Sequence, residues 1–257
     1  MSTGNTYAND QYKIITPLLT IAGMMRVKDE AEHIGRAVQS INRICDRIYV
    51  MDDHSTDGTF EKARQLRPTC INLHMDTFRS PFEGHDEPRD KNYLLGRVLM
   101  RAKPDWIVCI DGDEELEPGG DRKLLDALYA LPPQIMACAL KIEYLWGIPE
   151  MVRVDGRYGN FWRASVFRTR GLTHGFRPNP RINNTGTTVL GYPSALHCGN
   201  APPGLACIQL PIRIKHWGYL TAKDREKKLT RWGDAIYPNP SPAPVFQHWQ
   251  DLEVLTG

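Results

Sequence analysis

The sequence has no pair of cysteines at the two-residue spacing of a metal knuckle or a redox motif. Its six cysteines, Cys45, Cys70, Cys109, Cys138, Cys198 and Cys207, are scattered, several inside apolar runs. That excludes a zinc ribbon and a disulfide frame, and it fits reduced, core-filling thiols in a cytoplasmic protein. No apolar run reaches the roughly 20 residues that cross a bilayer, so no integral membrane segment is expected. Residues 1–12 are polar and lack the apolar core of a secretory signal, and they read as an arm outside the fold. Net charge is only +2. A bulk electrostatic case for a nucleic-acid partner is therefore missing. Internal repeats and low-complexity tracts are absent as well.

What is present is a chain of 257 residues, 41% of them apolar, enough for one large α/β domain. Leu18 to Met25 reads as a buried strand. A helix follows, with Asp29 as its N-cap, Glu32 three residues on, and Ile34, Ala37, Val38 and Ile41 facing inward. Arg47 to Met51 is a second strand, leading through the polar loop Asp52 to Thr59 into a helix with Phe60, Ala63 and Leu66 inside. Cys70 to Leu73 reads as a short third strand and residues 76–89 as a long loop. Asp90 to Ala102 is a helix with Leu94, Leu95, Val98 and Leu99 inward. After the next strand, Pro118-Gly119-Gly120 breaks the chain and Arg122 to Ala130 is helical. The alternation predicts a parallel sheet with right-handed crossovers, a Rossmann-like half over 13–133. Residues 134–236 form an acceptor-side half, with strands at Met136 to Trp146, Ser165 to Thr169 and Ile208 to Tyr219. Its stretch 171–206 is rich in loops. It ends in a basic helix capped by Thr221. Residues 237–257 are a tail, and the whole of 1–257 is expected to be one domain.

The chain is organised around Asp105-Trp106-Ile107-Val108-Cys109-Ile110-Asp111-Gly112-Asp113-Glu114-Glu115. An apolar run between charged flanks reads as a strand buried on both faces. Its carboxyl end, where an open α/β sheet binds ligands, is a cluster of acids. Asp111 and Asp113, two apart, point the same way in an extended backbone. Such a pair suits a hard divalent cation that keeps positions open for phosphate oxygens. The alternative is an acidic turn, since Asp-Gly is common turn chemistry.

Three segments together resemble the GT-A glycosyltransferases, in particular glycosyltransferase family 2. They are Met25-Arg26-Val27-Lys28-Asp29-Glu30, the stretch Val50-Met51-Asp52-Asp53-His54-Ser55-Thr56-Asp57-Gly58-Thr59, and the acidic strand above. The resemblance covers the first half of the chain well and the second half poorly. It implies a GT-A nucleotide-sugar-binding sheet and an inverting transferase. The donor would be a nucleoside-diphosphate sugar, expected to be a UDP-sugar. The acceptor would be a carbohydrate, a lipid-linked molecule or a small-molecule glycoside. Mg²⁺ or Mn²⁺ would sit on Asp111 and Asp113. Arg26 and Glu30 would flank the nucleobase, and Asp53 would accept from the base or ribose, with Asp52 the lesser of that pair. For Asp57-Gly58 the turn role is preferred. Arg89 and Lys91 open a helix, where cations oppose the dipole; a diphosphate would account for them, as would simple solvation.

His216, in His216-Trp217-Gly218-Tyr219, resembles a family position and is a third metal ligand or a packing histidine. Lys223 or Arg225 on the following helix would face the diphosphate. The family's acid for deprotonating the acceptor, a His-Glu pair after a loop, is not matched: the chain has Leu196-His197-Cys198. Asp155 is the first candidate base, followed by Glu143, Glu114 and His197. Two rivals stand beside this reading. A sugar-phosphate nucleotidyltransferase would carry a glycine-rich phosphate loop after the first strand, which Met24-Met25-Arg26-Val27-Lys28 lacks. A catalytically silent carbohydrate-binding protein would keep the scaffold alone.

Overall fold

The structure is a computed structural model that describes residues 18–66, 74–84, 86–169, 207–232 and 244–252. The N-terminal arm, the apolar run Cys70 to Leu73, the loop-rich 171–206 with His197, and much of the tail lie outside the described residues.

The first half alternates as the periodicity predicts: β1 (Ile21–Val27), α1 (Ile34–Ile41), β2 (Arg47–Asp52), α2 (Thr59–Gln65), β3 (His74–Arg79), α3 (Glu87–Ala102) and β4 (Trp106–Cys109). These strands are parallel and lie in the order β4-β1-β2-β3. Two apolar layers sandwich them. Ile34, Ala37, Val38 and Ile41 of α1 pack on one face. Leu94, Leu95, Val98 and Leu99 of α3 pack on the other, against Met24, Tyr49 and Ile107. Each large aliphatic side chain buried this way contributes about 1.5–3 kcal/mol. Because α1 and α3 cover opposite faces, β1 and β4 flank the switch point of the sheet, and such sheets bind ligands at the carboxyl ends of the strands there.

Three expectations are corrected here. β3 is His74–Arg79, and its last four residues lie in the stretch read as loop; the strand read at Cys70 to Leu73 lies outside the described residues. Among the described residues β3 pairs only with β2, and an edge strand tolerates the half-exposed, charged side chains that hid it. Asp29 does not cap α1: its φ is +53°, and its Oδ1 accepts instead from Thr56 N at 2.8 Å. His33 occupies the cap position without a side-chain cap bond. α3 starts three residues earlier than expected, because the Asp86 side chain caps it by accepting from Arg89 N.

The second half continues through β5 (Glu114–Leu116), α4 (Gly120–Ala130), β6 (Ala137–Trp146), β7 (Ile148–Arg153), β8 (Phe161–Arg168), β9 (Cys207–His216), α5 (Ala222–Trp232) and β10 (Phe246–His248). β8 joins β4 antiparallel and carries the sheet on to β6, β7 and β10. β5, β7 and β10 were not expected. Three of the four residues opening β7 are exposed and one is Pro149, so its period-2 signal is weak. β9 is the element that positions the site. It pairs parallel with β6 and antiparallel with β5, which sets His216 opposite both Glu114 and Tyr144. Among the described residues no helix is long and apolar enough to cross a membrane.

Candidate active site

At the ends of β1 and β2, Arg26 is buried and bridges two buried acids. Its Nη2 donates to Asp53 Oδ2 and its Nε to Asp90 Oδ2 at 3.0 Å. Lys28 Nζ donates to the Asp53 carbonyl at 2.9 Å. Arg89 Nε reaches the other Asp90 oxygen at 2.9 Å. Asp52 faces elsewhere, toward Ser55 N and Arg79 Nη1. The adjacent acids therefore divide: Asp53 meets Arg26, and Asp52 ties β2 to the edge strand. Asp57 accepts from Thr59 N and Ala31 N, the turn role preferred for it. Glu30 N donates to Thr59 Oγ1 at 2.7 Å, which anchors the end of β1 to α2.

The acids after β4 lie one strand away. They do not continue an extended strand: Glu114 N donates back to the Asp111 carbonyl at 3.1 Å, which makes Asp111 to Glu114 a tight turn. Gly112 is required there, since a Cβ would meet Val27 Cγ1 at 2.8 Å and Glu30 Cβ at 3.1 Å. The turn separates the two acids, which meet different cations. Asp111 Oδ1 accepts from Lys91 Nζ at 3.1 Å and Oδ2 from Arg163 Nη1 at 3.1 Å. Asp113 is 2% exposed, and its Oδ2 accepts from Lys228 Nζ at 2.6 Å. His216 Nδ1 lies 3.7 Å from the same oxygen and accepts from Gly218 N at 3.2 Å. The ring stacks on Tyr144. A Cβ on Gly218 would stand 2.0 Å from Asp113 Oδ2, so this carboxylate fits only against a glycine. Trp217 N closes the loop by donating to the Asp113 carbonyl at 2.8 Å.

The charges follow from these contacts. Burial alone would raise the Asp113 carboxyl, but His216 and the Lys228 ammonium outweigh it and hold it well below the usual carboxylate range. Burial pushes the His216 imidazole down to about 4, against the pull of Asp113, so the ring is neutral near pH 7. Burial raises Glu114 despite its contact with Arg163. Carboxylates and a neutral imidazole are donors that a divalent cation accepts, so Asp111, Asp113 and His216 fit one in kind, although their ligand atoms do not gather within 4.8 Å of one another.

Of the base candidates, Glu114 lies within this cluster, buried and held by Arg163, while Asp155 and Glu143 have their partners elsewhere. Both oxygens of Asp155 are clasped by Arg153, at 2.7 and 2.8 Å, and Val245 N donates to one of them. The Arg153 bonds hold that carboxyl below its ordinary range, which weakens it as a base. Glu143 is fully buried, its carboxylate 3.1 Å from Lys141 Nζ but out of hydrogen-bond alignment. Burial raises its carboxyl, partly offset by Lys141. Strand alternation turns it away from the side on which Tyr144 stacks on His216. Arg225 donates to the Tyr219 and Leu220 carbonyls and Lys223 is exposed, so neither meets the acids. Lys228, one helical turn beyond, does. Arg163 was not singled out in the sequence. Its signal was a charged residue between Trp162 and Ala164 within an apolar strand.

The profile of the family described as glycosyl transferase family 2 matches residues 24–178, more than half of the chain. An uncharacterized glycosyltransferase of Rickettsia felis is 33% identical over 96 residues, covering 37% of this chain and 29% of the relative. An uncharacterized protein of Mycobacterium bovis is 27% identical over 153 residues, covering 56% and 37%. The matches thus span about a third of the length of these curated relatives. Among solved structures, a mannosyltransferase of Pyrobaculum calidifontis, in complex with GDP-Man and Mn²⁺, superposes with a TM-score of 0.54 at 14% identity. That match covers 88% of this chain and 67% of the other. At that identity the likeness is one of fold, the GT-A fold of glycosyltransferases.

Proposed function

Because the chain belongs to glycosyl transferase family 2, we propose that it moves a sugar from a nucleoside-diphosphate sugar to an acceptor hydroxyl, with inversion at the anomeric carbon. The observation that supports this reading is that Arg26 and Asp53 end β1 and follow β2, while Asp111 and Asp113, the latter facing His216, follow the neighbouring strand β4. Arg26, Glu30 and Asp53 offer charged and hydrogen-bonding groups suited to the base and ribose. A UDP-sugar is the expected donor, and the GDP-Man bound by the Pyrobaculum enzyme shows that this fold also takes another base.

Asp111, Asp113 and His216 would hold a Mg²⁺ or Mn²⁺ ion. When bound, that ion would supply positive charge against the departing nucleoside diphosphate. Lys91, Arg163 and Lys228 already neutralise the acids and bring three further cations to the same place. Fixed cations in a site screened from water stabilise developing negative charge without having to reorient. Neither Asp155 nor Glu143 touches this cluster, and Glu114, which does, is fully buried and bound to Arg163.

Asp113→Asn tests the reading. The amide keeps the shape and removes the charge, so transfer from a nucleoside-diphosphate sugar should fall by about 100-fold or more while the protein stays folded. Metal-dependent turnover near that of the unsubstituted protein would overturn the proposal. Donor turnover by the purified protein also separates a transferase from a silent binding protein.

A further inference from the structure

A second cluster lies where the turn before α1 meets the first turn of α5. Glu32, His33 and Asp224 each offer one ligand atom, and the three atoms lie within 4.8 Å of one another. They line a small cleft of about 20 Å³. That is room for one ion or water molecule and too little for an organic ligand.

Ordinary packing accounts for the two acids. Asp224 Oδ2 accepts from Thr221 N at 3.0 Å and Thr221 Oγ1 at 2.6 Å, which caps α5. Glu32 is exposed. The histidine has no such account. His33 is 4% exposed and stacks on Trp217, and its buried Nδ1 has no hydrogen-bond partner. A buried polar atom without a partner is costly and calls for a ligand. Charge points to the kind of ligand. Asp29, Glu30, Glu32 and Asp224 line the cleft with Lys227 and Lys228, four acidic residues to two basic, although Asp29 is bound to Thr56. That excess disfavours an anion and favours a dication. Asp224 Oδ1 accepts no hydrogen bond among the described residues, so it is available as a donor.

The geometry points to a metal site formed by Glu32, His33 and Asp224, taking a first-row transition-metal dication of the zinc class. One imidazole and two carboxylates, with a water in the fourth position, are ligands that Zn²⁺ accepts; all-oxygen sites suit Mg²⁺ or Ca²⁺ instead. Burial pushes the His33 imidazole below its ordinary value, which keeps it in the neutral form that binds metal. The site adjoins the acids after β4, since Gly218 and Lys228 line its cleft and also meet Asp113, and it would act on them through α5. Asp224 and Lys228 are four residues apart, on one face of that helix. A cation joining Asp224 to the start of α1 fastens α5 where Lys228 meets Asp113.

The test uses the full chain, stripped with a chelator and dialysed against Zn²⁺ alone, with Asp113→Asn as a second parent in which the acid pair after β4 is disabled. One equivalent should bind to the D113N parent. Adding Glu32→Gln, which alters an exposed side chain, or His33→Gln should weaken that binding by more than the about 10- to 100-fold that loss of a metal's outer partner costs. Zn²⁺ should also slow amide exchange across residues 222–232 in the D113N parent and not in the doubly substituted chains. The inference is overturned if the D113N parent binds no Zn²⁺, or if E32Q and H33Q bind it undiminished. Either result would leave the cleft to a buried water, and neither bears on the Asp113→Asn transfer test.

Discussion

At the scale of single residues, the site depends on contacts that leave no room. Gly218 is the sharpest case, with Asp113 Oδ2 occupying the space a side chain would need. Gly218→Ala should displace the carboxylate and lower transfer by about 100-fold, as misplacement of about 1 Å does elsewhere. Melting temperature and initial rate measured on the same preparation check this; an unchanged rate would show that Asp113 needs no fixed position. Glu143 behaves differently. Its folded pKa is raised above the ordinary 4.5. The folded state therefore holds a proton that the unfolded state releases, and this contribution is lost as pH rises through the folded pKa. Glu143→Gln removes that loss. The stability of the variant relative to the unsubstituted protein should increase as pH rises above about 4.5. Urea unfolding across pH measures it, and a difference independent of pH would be the contrary result. As Glu143 faces away from the acids, kcat in this variant should stay within about threefold. A much larger drop would mark Glu143 as the base.

At the scale of elements, β9 and α5 complete what β4 begins. β9 sets His216 opposite Glu114, and α5 delivers Lys228 to Asp113. α5 starts at Thr221, whose Oγ1 accepts from Asp224 N at 3.1 Å while donating to Asp224 Oδ2. Removing such a cap costs about 1 kcal/mol. Thr221→Ala should therefore lower stability by about that much, speed amide exchange across 222–232 and raise KM for the donor as Lys228 loosens. If exchange rises with KM unchanged, α5 does not govern donor binding. The edge strand β3 illustrates the reverse dependence. Its sequence His74-Met75-Asp76-Thr77-Phe78-Arg79 carries little apolar signal, and its strand state follows from pairing with β2.

For the whole molecule, binding at the strand ends is linked to folding. A nucleoside diphosphate at about 100 times its dissociation constant should stabilise the protein by about 2.7 kcal/mol. For a chain of this size that is a rise in melting temperature of about 5–10 °C. The rise should be larger with Mn²⁺, and a panel of bases would identify the donor. No shift with any nucleotide would remove the strand ends as the donor site. The parallel half, its inward helix faces and the acids at the end of β4 were legible in the sequence, because local periodicity and strand-end motifs specify them directly. Arg26, Asp53, Asp111 and Asp113 could be picked out as candidates since each directly follows, or ends, a strong apolar run. Two of their partners could not. Lys228 lies 115 residues from Asp113 and Arg163 lies 52 from Asp111. Nothing local in a basic helix or an apolar strand says which cation will turn inward. The sequence alone determined the alternation of strands and helices in the first half and which carboxylates follow its strands. The tertiary structure decided that the acids after β4 form a turn and share their charge with Lys91, Arg163 and Lys228, because only the packing of α3, β8 and α5 around the end of β4 brings those groups within reach.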